Sequence, residues 1–376
     1  LEDVGGGSDF GRISLQEMST RLCGSADLFA TEPGRGAPAS INFVSCHDGF
    51  TLTDLTRYRS KHNEANGENN NDGSSVNHSA NFGVEGVTDD PDVIAAREQA
   101  AMNMIGMLLL SLGTPMMLAG DEFRNTQDGN NNAYCQDNDI TWLKWDWMYS
   151  TNKTREMRRL ETVSRLVALR KSLDLYHHED FFTRLTQLGL LKPSSRVQWF
   201  LPDGTTPMER DWFDLGVRSF TMRLLSNSEV DVCIVVNGTA DDRTFRLPSD
   251  THWTPKWCSA EINGRRAGHG TQVEECDLNG DTTVWTQHVP DASETVLKMV
   301  EEVAMQRTES STENEADTIK FAMPVTDHAA NGTSSAPRDE VSADMPDAPV
   351  DDTPDTPVDD NVWTMPALSI TLMKQV

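Results

Sequence analysis

The pattern of apolar positions divides the first part of the chain into short runs and helical repeats. The run INFVSC at 41–46 is rich in β-branched and aromatic residues, which predicts a short buried strand. Apolar residues recur at spacings of three and four from about Val93 to Ser111 and from about Lys153 to Leu173, which predicts two amphipathic helices. The apolar run TPMML, which starts at Thr114, predicts a second strand between these helices.

Helices that alternate with short apolar strands are typical of parallel βα units. In both units polar residues follow the end of the strand, as His47 and Asp48 in the first and as Asp121 and Glu122 in the second. In a (β/α)₈ barrel, this edge of the sheet carries the active site. Because only two units are visible, residues 1–175 are predicted to form the C-terminal part of such a barrel.

From about residue 194 the pattern changes to short β-like runs separated by turn residues. Even spacing of such runs is typical of an antiparallel β-sandwich, which we predict for residues 176–300. The alternating apolar run at 362–376 is interpreted as the closing strand of that sandwich. The runs are VQWFLPDG, SFTMRLL, DVCIVVNG, DRTFRLPS, HWTPKWCSA, TVWTQHV and finally VWTMPALSITLM.

The acidic charge of the chain is concentrated in one segment. The net charge is -27, and residues 301–361 contain sixteen acidic against three basic residues. A segment rich in Asp, Pro, Ser and Thr buries too little apolar surface to offset its ordering entropy, so a disordered insertion is predicted there. The strong negative charge also argues against nucleic acid and anionic membranes as partners.

The remaining composition indicates a cytoplasmic protein. The six cysteines show no CxxC or CxH spacing, so reduced thiols are predicted, and neither a metal cluster nor a cofactor is expected. No apolar run reaches about 18 residues, so no transmembrane helix is predicted. The chain begins Leu-Glu-Asp-Val without Met, which we interpret as a cut within a longer polypeptide.

The pair His47–Asp48 and the loop that follows are the candidate chemistry. Asp48 has an ordinary interpretation as the N-cap of the next helix, and His47 has one as a hydrogen-bonded histidine at the edge of the core. The loop at 60–90 is dense in Asn and Gly and is long for a compact domain. A loop of that length is usually either functional or disordered, and its amide and acidic side chains favour binding of a hydroxyl-rich ligand.

Five stretches in order resemble the glycogen debranching enzymes of the isoamylase type, which are glycoside hydrolases of the α-amylase superfamily. The match runs from about residue 10 to 215 and returns at the C-terminal strand. The stretches are INFVSCHDGFTLTDL, KHNEANGENNNDG, NFGVEG, GTPMMLAGDEF with GNNNAYCQDN, and WFLPDG followed by DW. The resemblance implies that His47 hydrogen-bonds the sugar beside the scissile bond. It also implies that Asp48 is the catalytic carboxylate that stabilises the transition state.

The same resemblance assigns the second polar loop. Asn130, Asn131, Asn132 and Tyr134 would lie in the family's eighth-strand loop, either in contact with substrate or in a purely structural Asn-rich turn. Asp121 and Glu122 are expected to provide shape and hydrogen bonding there, without chemistry. Nearby tryptophans either stack on sugars or pack in the core. The family often has larger or different residues where Ala80 and Phe82 stand, so the detail of branch recognition stays open. The tryptophans are Trp142, Trp145 and Trp147.

One departure from the family limits what this chain is expected to do alone. A retaining glycosidase needs a nucleophilic carboxylate and an acid/base carboxylate, which the family carries upstream of the region that this chain resembles. No G-F-R-x-D motif occurs in the sequence, so nucleophile and general acid are expected to be absent. The predicted function is hydrolysis of α-1,6-glucosidic branches in glycogen or limit dextrin, by a protein of which this chain is an inactive C-terminal portion.

Two alternatives to this function remain. One is an isoamylase or another glucanohydrolase of the same superfamily, against which the Asn-rich loop at 60–90 speaks. The other is a non-catalytic glucan-binding module formed by the β-rich part. In each case the predicted partner is a branched α-glucan.

Overall fold

The computed structural model describes residues 13–30, 35–177, 197–225, 231–270, 272–275, 361–367 and 369–375. The predicted acidic insertion, apart from Asn361, lies outside these residues, and so does the run TVWTQHV. The predicted domain boundary between residues 175 and 176 stays a prediction. Within the described ranges, a helical part with one parallel strand pair is followed by a part built of antiparallel sheets.

Six α-helices occur in the described residues. They are α1 (Leu15–Leu22), α2 (Ala26–Phe29), α3 (Leu52–Leu55), α4 (Pro91–Leu110), α5 (Arg155–Ser172) and α6 (Glu209–Phe213). The two long predicted helices are confirmed as α4 and α5, within two residues at each end. Asp90 caps α4 by accepting hydrogen bonds from the backbone of Asp92 and Val93, and Pro91 occupies the first turn, where no N–H partner is needed.

The two strands of the helical part are parallel, as predicted, but much shorter than predicted. Strand β1 (Ile41–Asn42) pairs with β2 (Thr114–Pro115), and α4 lies between them in the chain. The prediction of a buried strand over 41–46 was wrong, because Ile41 and Phe43 are 61% and 54% exposed. Among the described residues β1 has β2 as its single strand neighbour, so no second strand extends the ladder or covers this edge.

The β-rich part contains ten strands in the described ranges, all of them paired antiparallel. Five form one sheet in the order β3-β4-β5-β12-β7, three form a second in the order β6-β11-β9, and β8 pairs with β10. The strands are β3 (Val197–Phe200), β4 (Ser219–Leu224), β5 (Val232–Asn237), β6 (Arg243–Arg246), β7 (Trp253–Cys258), β8 (Arg265–Arg266), β9 (Gly268–His269), β10 (Glu274–Glu275), β11 (Val362–Met365) and β12 (Ser369–Gln375).

The C-terminal run forms two strands, so the prediction of a single closing strand was wrong. Strand β11 lies between β6 and β9, whereas β12 lies in the middle of the five-stranded sheet between β5 and β7. Pro366 separates the two strands, because its ring provides no N–H for a ladder. Asn237 holds the crossing by donating its side-chain amide to the carbonyls of Met365 and Pro366, at 3.2 and 3.0 Å.

Both faces of the five-stranded sheet are buried at its central strands. On β5, Val232 and Ile234 join the core that contains the apolar faces of the helices, while Cys233 and Val235 join a second core with residues of the three-stranded sheet. This arrangement explains why the β5 sequence is apolar without alternation. Trp257 is fully buried in the first core and donates its indole N–H to the carbonyl of Thr162 on α5.

Helix α4 is also a core element. By length and composition it is apolar enough to cross a membrane, but 56% of its most apolar window is buried within the protein. The buried face includes Ala101, Met102 and Ile105, which lie in the first core. Core helices of globular proteins pass the same test of composition, so this helix is a weak sign of a membrane span.

Candidate active site

His47 and Asp48 lie at the tip of the loop that follows β1. Their side chains are 87% and 83% exposed, and His47 Nε2 is 3.6 Å from Asp48 Oδ2. The N-cap of α3 is Thr51, whose hydroxyl accepts from the backbone of Asp54. The helix-cap interpretation of Asp48 is therefore wrong, and so is the interpretation of His47 as a histidine of the core edge. Both polar side chains project into solvent from a loop that has no need of them for its own capping.

The loop that carries the pair is held at both ends by one buried carboxylate. Asp121 accepts a short hydrogen bond from the hydroxyl of Ser45, and its other oxygen accepts from the backbone N–H of Leu52 at 2.9 Å. At the tip, Gly49 has a φ of 103° and donates its N–H to the carbonyl of Asn131 at 3.0 Å. A positive φ of this size suits glycine, so the turn after His47–Asp48 depends on that residue.

The two polar loops interlock through amide side chains, in what we call the asparagine knot, formed by Asn63, Asn66, Asp72, Asn130 and Asn131 together with Asn132. Asn63 donates to Asn131 Oδ1 at 2.9 Å and accepts from the Asn131 backbone at 3.0 Å. Asn130 donates to Asn66 Oδ1 at 2.8 Å. The Asp72 carboxylate accepts from Asn66 at 2.7 Å and from Asn132 at 2.9 Å. The loop containing residues 61–73 is thus fixed to the loop that follows β2.

The knot decides what its members can offer to a ligand. Asn130 and Asn131 are 1% and 3% exposed, and their amides are engaged within the protein, which is the structural alternative stated above. Contact of either side chain with a sugar would require these bonds to break. Asn132 is half-buried and Tyr134 is exposed, so their predicted contact with substrate is sterically open and stays a prediction.

Sequence reasoning missed the residue that orders the second half of the long loop. Arg97, on α4, is buried and donates its guanidinium hydrogens to the carbonyls of Gly86, Asn81 and Val84. An arginine can satisfy several backbone carbonyls at once because its donors form a fixed fork. The loop around NFGVEG therefore has a defined backbone although it contains neither helix nor strand. The sequence signal was a charged residue at a position of α4 that faces the core.

A buried charge cluster, Glu98 with Arg124 and Arg159, lies beneath the loops. Glu98 Oε2 accepts from Arg159 Nε at 3.1 Å and from Arg159 Nη2 at 2.8 Å, while Arg124 Nε lies 3.1 Å from Glu98 Oε1. Arg159 also donates to the hydroxyl of Thr53 and to the carbonyl of Asp121, at 3.2 and 3.5 Å. The cluster connects α4 and α5 to the turn that holds the His47–Asp48 loop, and sequence reasoning missed it.

Burial shifts the pKa of the acidic groups around this loop. Burial raises the pKa of Asp121 above its ordinary value, although the hydrogen bonds from Ser45 and Leu52 act in the opposite direction. Burial likewise raises the pKa of Glu122, against the hydrogen bond from the Gly120 backbone. Neither carboxyl group contacts an exposed residue of the His47–Asp48 tip. The expectation that both provide shape and hydrogen bonding agrees with these contacts.

The three tryptophans of the second polar loop divide into two groups. Trp145 and Trp147 pack against Phe123, with ring centroids 4.8 and 5.4 Å apart, which is the core-packing alternative. Trp142 is exposed and donates its indole N–H to Asp137 at 2.9 Å, so its role in stacking stays open. In the described residues no group of three or more His, Cys, Asp or Glu side chains is placed to hold a metal ion.

Comparison with curated proteins identifies relatives over part of the chain. No family model matches. Over 213 residues, 55% of the chain, it is 44% identical to the glycogen operon protein GlgX homolog of Mycobacterium bovis, of which it covers 28%. Over 270 residues, 71% of the chain, it is 37% identical to the glycogen debranching enzyme of Pectobacterium atrosepticum, of which it covers 38%. The chain thus spans about a third of the length of these relatives, and the resemblance inferred from the motifs is confirmed.

Two solved structures show a distant likeness to the chain. The chain is similar to the catalytic module of the glycogen-degrading pneumococcal virulence factor SpuA in complex with an inhibitor, with a TM-score of 0.45 and 11% identity, over 96% of this chain and 39% of that one. It is also similar to pullulanase type I from Bacillus subtilis complexed with maltose, with a TM-score of 0.41 and 19% identity, over 64% of this chain and 27% of that one. Likenesses of this size carry no inference about the site.

Proposed function

We propose that this chain, which is related in sequence to part of the bacterial glycogen debranching enzymes, forms one side of the active site of an α-1,6-glucosidase that acts on glycogen or limit dextrin. The observation that carries this proposal is the position of His47 and Asp48. Both side chains are exposed at the carboxyl end of a parallel strand, and neither caps a helix or joins the core. A loop that is fixed at both ends and presents an imidazole beside a carboxylate is suited to grip sugar hydroxyls.

In this proposal Asp48 acts on the sugar ring without attacking it. Hydrogen bonds to ring hydroxyls that strengthen as the ring distorts towards an oxocarbenium-like state stabilise that state by several kcal/mol. His47 would donate to a hydroxyl of the same ring. The nucleophile and the general acid are proposed to come from the part of the relatives' length that this chain does not span. The chain alone is accordingly expected to show no hydrolysis, and the intact protein is proposed to act in the cytoplasm.

The proposed fold agrees with a chain that spans about a third of the length of its relatives. We propose that β1, α4, β2 and α5 are the last two βα units of a (β/α)₈ barrel, and that the two larger antiparallel sheets form a C-terminal sandwich. The parallel pairing of β1 with β2 supports the first part. Exposure of Ile41 and Phe43 also supports it, because a neighbouring barrel strand would cover that edge. A second core with residues of both sheets supports the sandwich.

The test is a chimera in which this chain replaces the matched stretch of the Pectobacterium atrosepticum enzyme, assayed by release of reducing ends from limit dextrin. Asp48→Asn in the chimera keeps the size of the side chain and removes its charge. Loss of a preorganised electrostatic contact is expected to lower kcat by about 10²-fold or more, with a much smaller change in KM. Asp89→Asn, at an exposed position before α4, is the matched control and is expected to leave turnover unchanged.

Two results would contradict the proposal. A folded chimera without turnover would show that this chain cannot complete such a site. An Asp48→Asn chimera with turnover equal to that of the Asp89→Asn control would show that His47–Asp48 is a solvated turn with no catalytic role.

A further inference from the structure

A single buried carboxylate joins the two ends of the loop that presents His47 and Asp48. One oxygen of Asp121 accepts from Ser45, which precedes the pair, and the other accepts from the N–H of Leu52, which follows it. The side chain of Asp121 is buried and therefore protected from competing water. The six residues between the two contacts are closed into a loop by this one group.

Asp121 is itself held in place from the interior. It begins the short 3₁₀ turn Asp121–Phe123, and its backbone N–H donates to the carbonyl of Leu118 at 3.1 Å. Its own carbonyl accepts from Arg159, which is buried and bonded to Glu98. The position of the carboxylate is thus set in part by α5, through Arg159, and by α4, through Glu98.

The tip of the loop has few other attachments. Gly49 donates its N–H to the Asn131 carbonyl, and the Cys46 thiol donates within the loop to the carbonyl of Asp48, at 3.2 Å. The mutual contact of His47 with Asp48, at 3.6 Å, is exposed and adds little order. Phe50 and Thr51, on the far side of the pair, are buried, so the conformation in which the pair is presented depends on these two residues and on the closure of the loop at its base.

We infer that Asp121 is a positioning residue, which orders the loop 46–51 and thereby presets His47 and Asp48 for the sugar proposed above. This inference rests on the proposed function for its ligand, but not for the ordering itself. To order the loop, the side chain at position 121 must accept a hydrogen bond from the Leu52 N–H and must bond to the Ser45 hydroxyl. A negative charge is not required. A hydroxyl accepts as well as donates, so an amide at position 121 would satisfy both partners.

The experiment measures amide hydrogen exchange over residues 46–51 in this chain, together with its binding of maltotetraose by NMR titration. Asp121→Ala removes both contacts and is expected to speed exchange of this loop about tenfold or more, since the two hydrogen bonds that close the loop are lost together. Asp121→Asn is expected to restore exchange to within about threefold of the original rate. Ser45→Ala removes one contact and is expected to give an intermediate increase.

Glu122→Ala is the matched control, because the neighbouring carboxylate accepts from the Gly120 backbone within its own turn. Exchange over 46–51 should be unchanged in this variant. Unchanged exchange in Asp121→Ala overturns the inference, and so does an Asp121→Asn variant as loose as Asp121→Ala, because that result would assign the role to the charge. If Asp121→Ala does not fold, unchanged exchange in Ser45→Ala overturns it instead.

The binding measurement separates this inference from the proposed function. If the unaltered chain binds maltotetraose, Asp121→Ala is expected to weaken that binding and Asp121→Asn to restore it, and equal binding by all three would contradict presetting. If the unaltered chain does not bind it, the side of the site that this chain forms does not hold a linear glucan by itself, while the exchange rates still decide whether Asp121 orders the loop.

Discussion

Replacing Glu98 by Gln should destabilise the chain far more than replacing any exposed acidic residue. Its carboxylate is buried, accepts two hydrogen bonds from Arg159 and lies 3.1 Å from Arg124. Burial acts to raise the pKa of Glu98, but the two arginines outweigh it and hold that pKa below its ordinary value. The carboxylate is therefore charged at neutral pH, and Gln removes the charge while keeping the shape.

The magnitude follows from what the substitution leaves behind. Arg159 and Arg124 would lose their shared counter-ion, although Glu156 stays 4.0 Å from Arg124, and burial already lowers the pKa of Arg124 to about 10. Breaking a buried ion pair by removing one partner costs about 3–5 kcal/mol. A change of that size would lower Tm by about 6–20 °C in a unit of this size. It is also a large fraction of the 5–15 kcal/mol that typically stabilises a folded domain.

The control is a glutamate that pairs with a cationic side chain at the surface. Lys153 Nζ lies 2.6 Å from Glu161 Oε2 on α5, with both side chains partly exposed. Glu161→Gln is expected to cost about 1 kcal/mol or less, because an exposed pair is screened by solvent. Thermal and urea unfolding, followed by circular dichroism, measure both variants. A Glu98→Gln variant that is no less stable than Glu161→Gln would refute the conclusion that the buried charge cluster stabilises the fold beneath the site.

Two further predictions test other contacts. Gly106→Ala should lower the free energy of unfolding by about 1–2 kcal/mol, measured in urea. An added Cβ would lie 2.9 Å from the buried Trp257 ring, and the cost of this overpacking exceeds the gain in helix propensity. A higher Tm in the variant would contradict this prediction. Hydrogen bonds, first from Asn66, lower the pKa of Asp72, so the asparagine knot gains stability above the ordinary Asp pKa and loses it as pH falls through the lowered value. An acid transition in the Asn66 side-chain NMR signals, absent in Asp72→Asn, is the expected result.

The two long helices and the change to short β-like runs near residue 194 were predictable, because the local spacing of apolar residues determines both. Apolar residues at spacings of three and four identified α4 as a helix, but its burial extends beyond the predicted face, since Met102 and Leu110 are fully buried and Met104 is only partly buried. The run VCIVV was identified as a strand, but only the structure shows that its two faces enter two different cores. The pairing of β12 between β5 and β7 depends on contacts across more than a hundred residues, which periodicity does not encode.

The candidate site was predictable only where a motif carries it. His47 and Asp48 stood out because an imidazole and a carboxylate follow an apolar run, and the structure removes both ordinary explanations for them. Asn130 and Asn131 matched the same family pattern, yet they lie inside the asparagine knot. An amide side chain donates and accepts equally well to a sugar or to another amide, so its residue type alone does not distinguish ligand from scaffold.

The residues missed by sequence reasoning have one property in common, which explains the miss. Three charged residues occupy core-facing positions of the long helices, namely Arg97, Glu98 and Arg159. In a pattern of apolar and polar positions, such residues only interrupt the apolar face. A buried charge is tolerated only where it is paired or fully hydrogen-bonded, so each such interruption marks a place where another segment is bound. Arg97 binds the carbonyls of the long polar loop, and Arg159 reaches the turn of Asp121. In this chain Arg159, buried in α5, supports the turn whose Asp121 closes the loop of the exposed pair, whereas Arg97, buried in α4, orders the separate loop around residues 81–86.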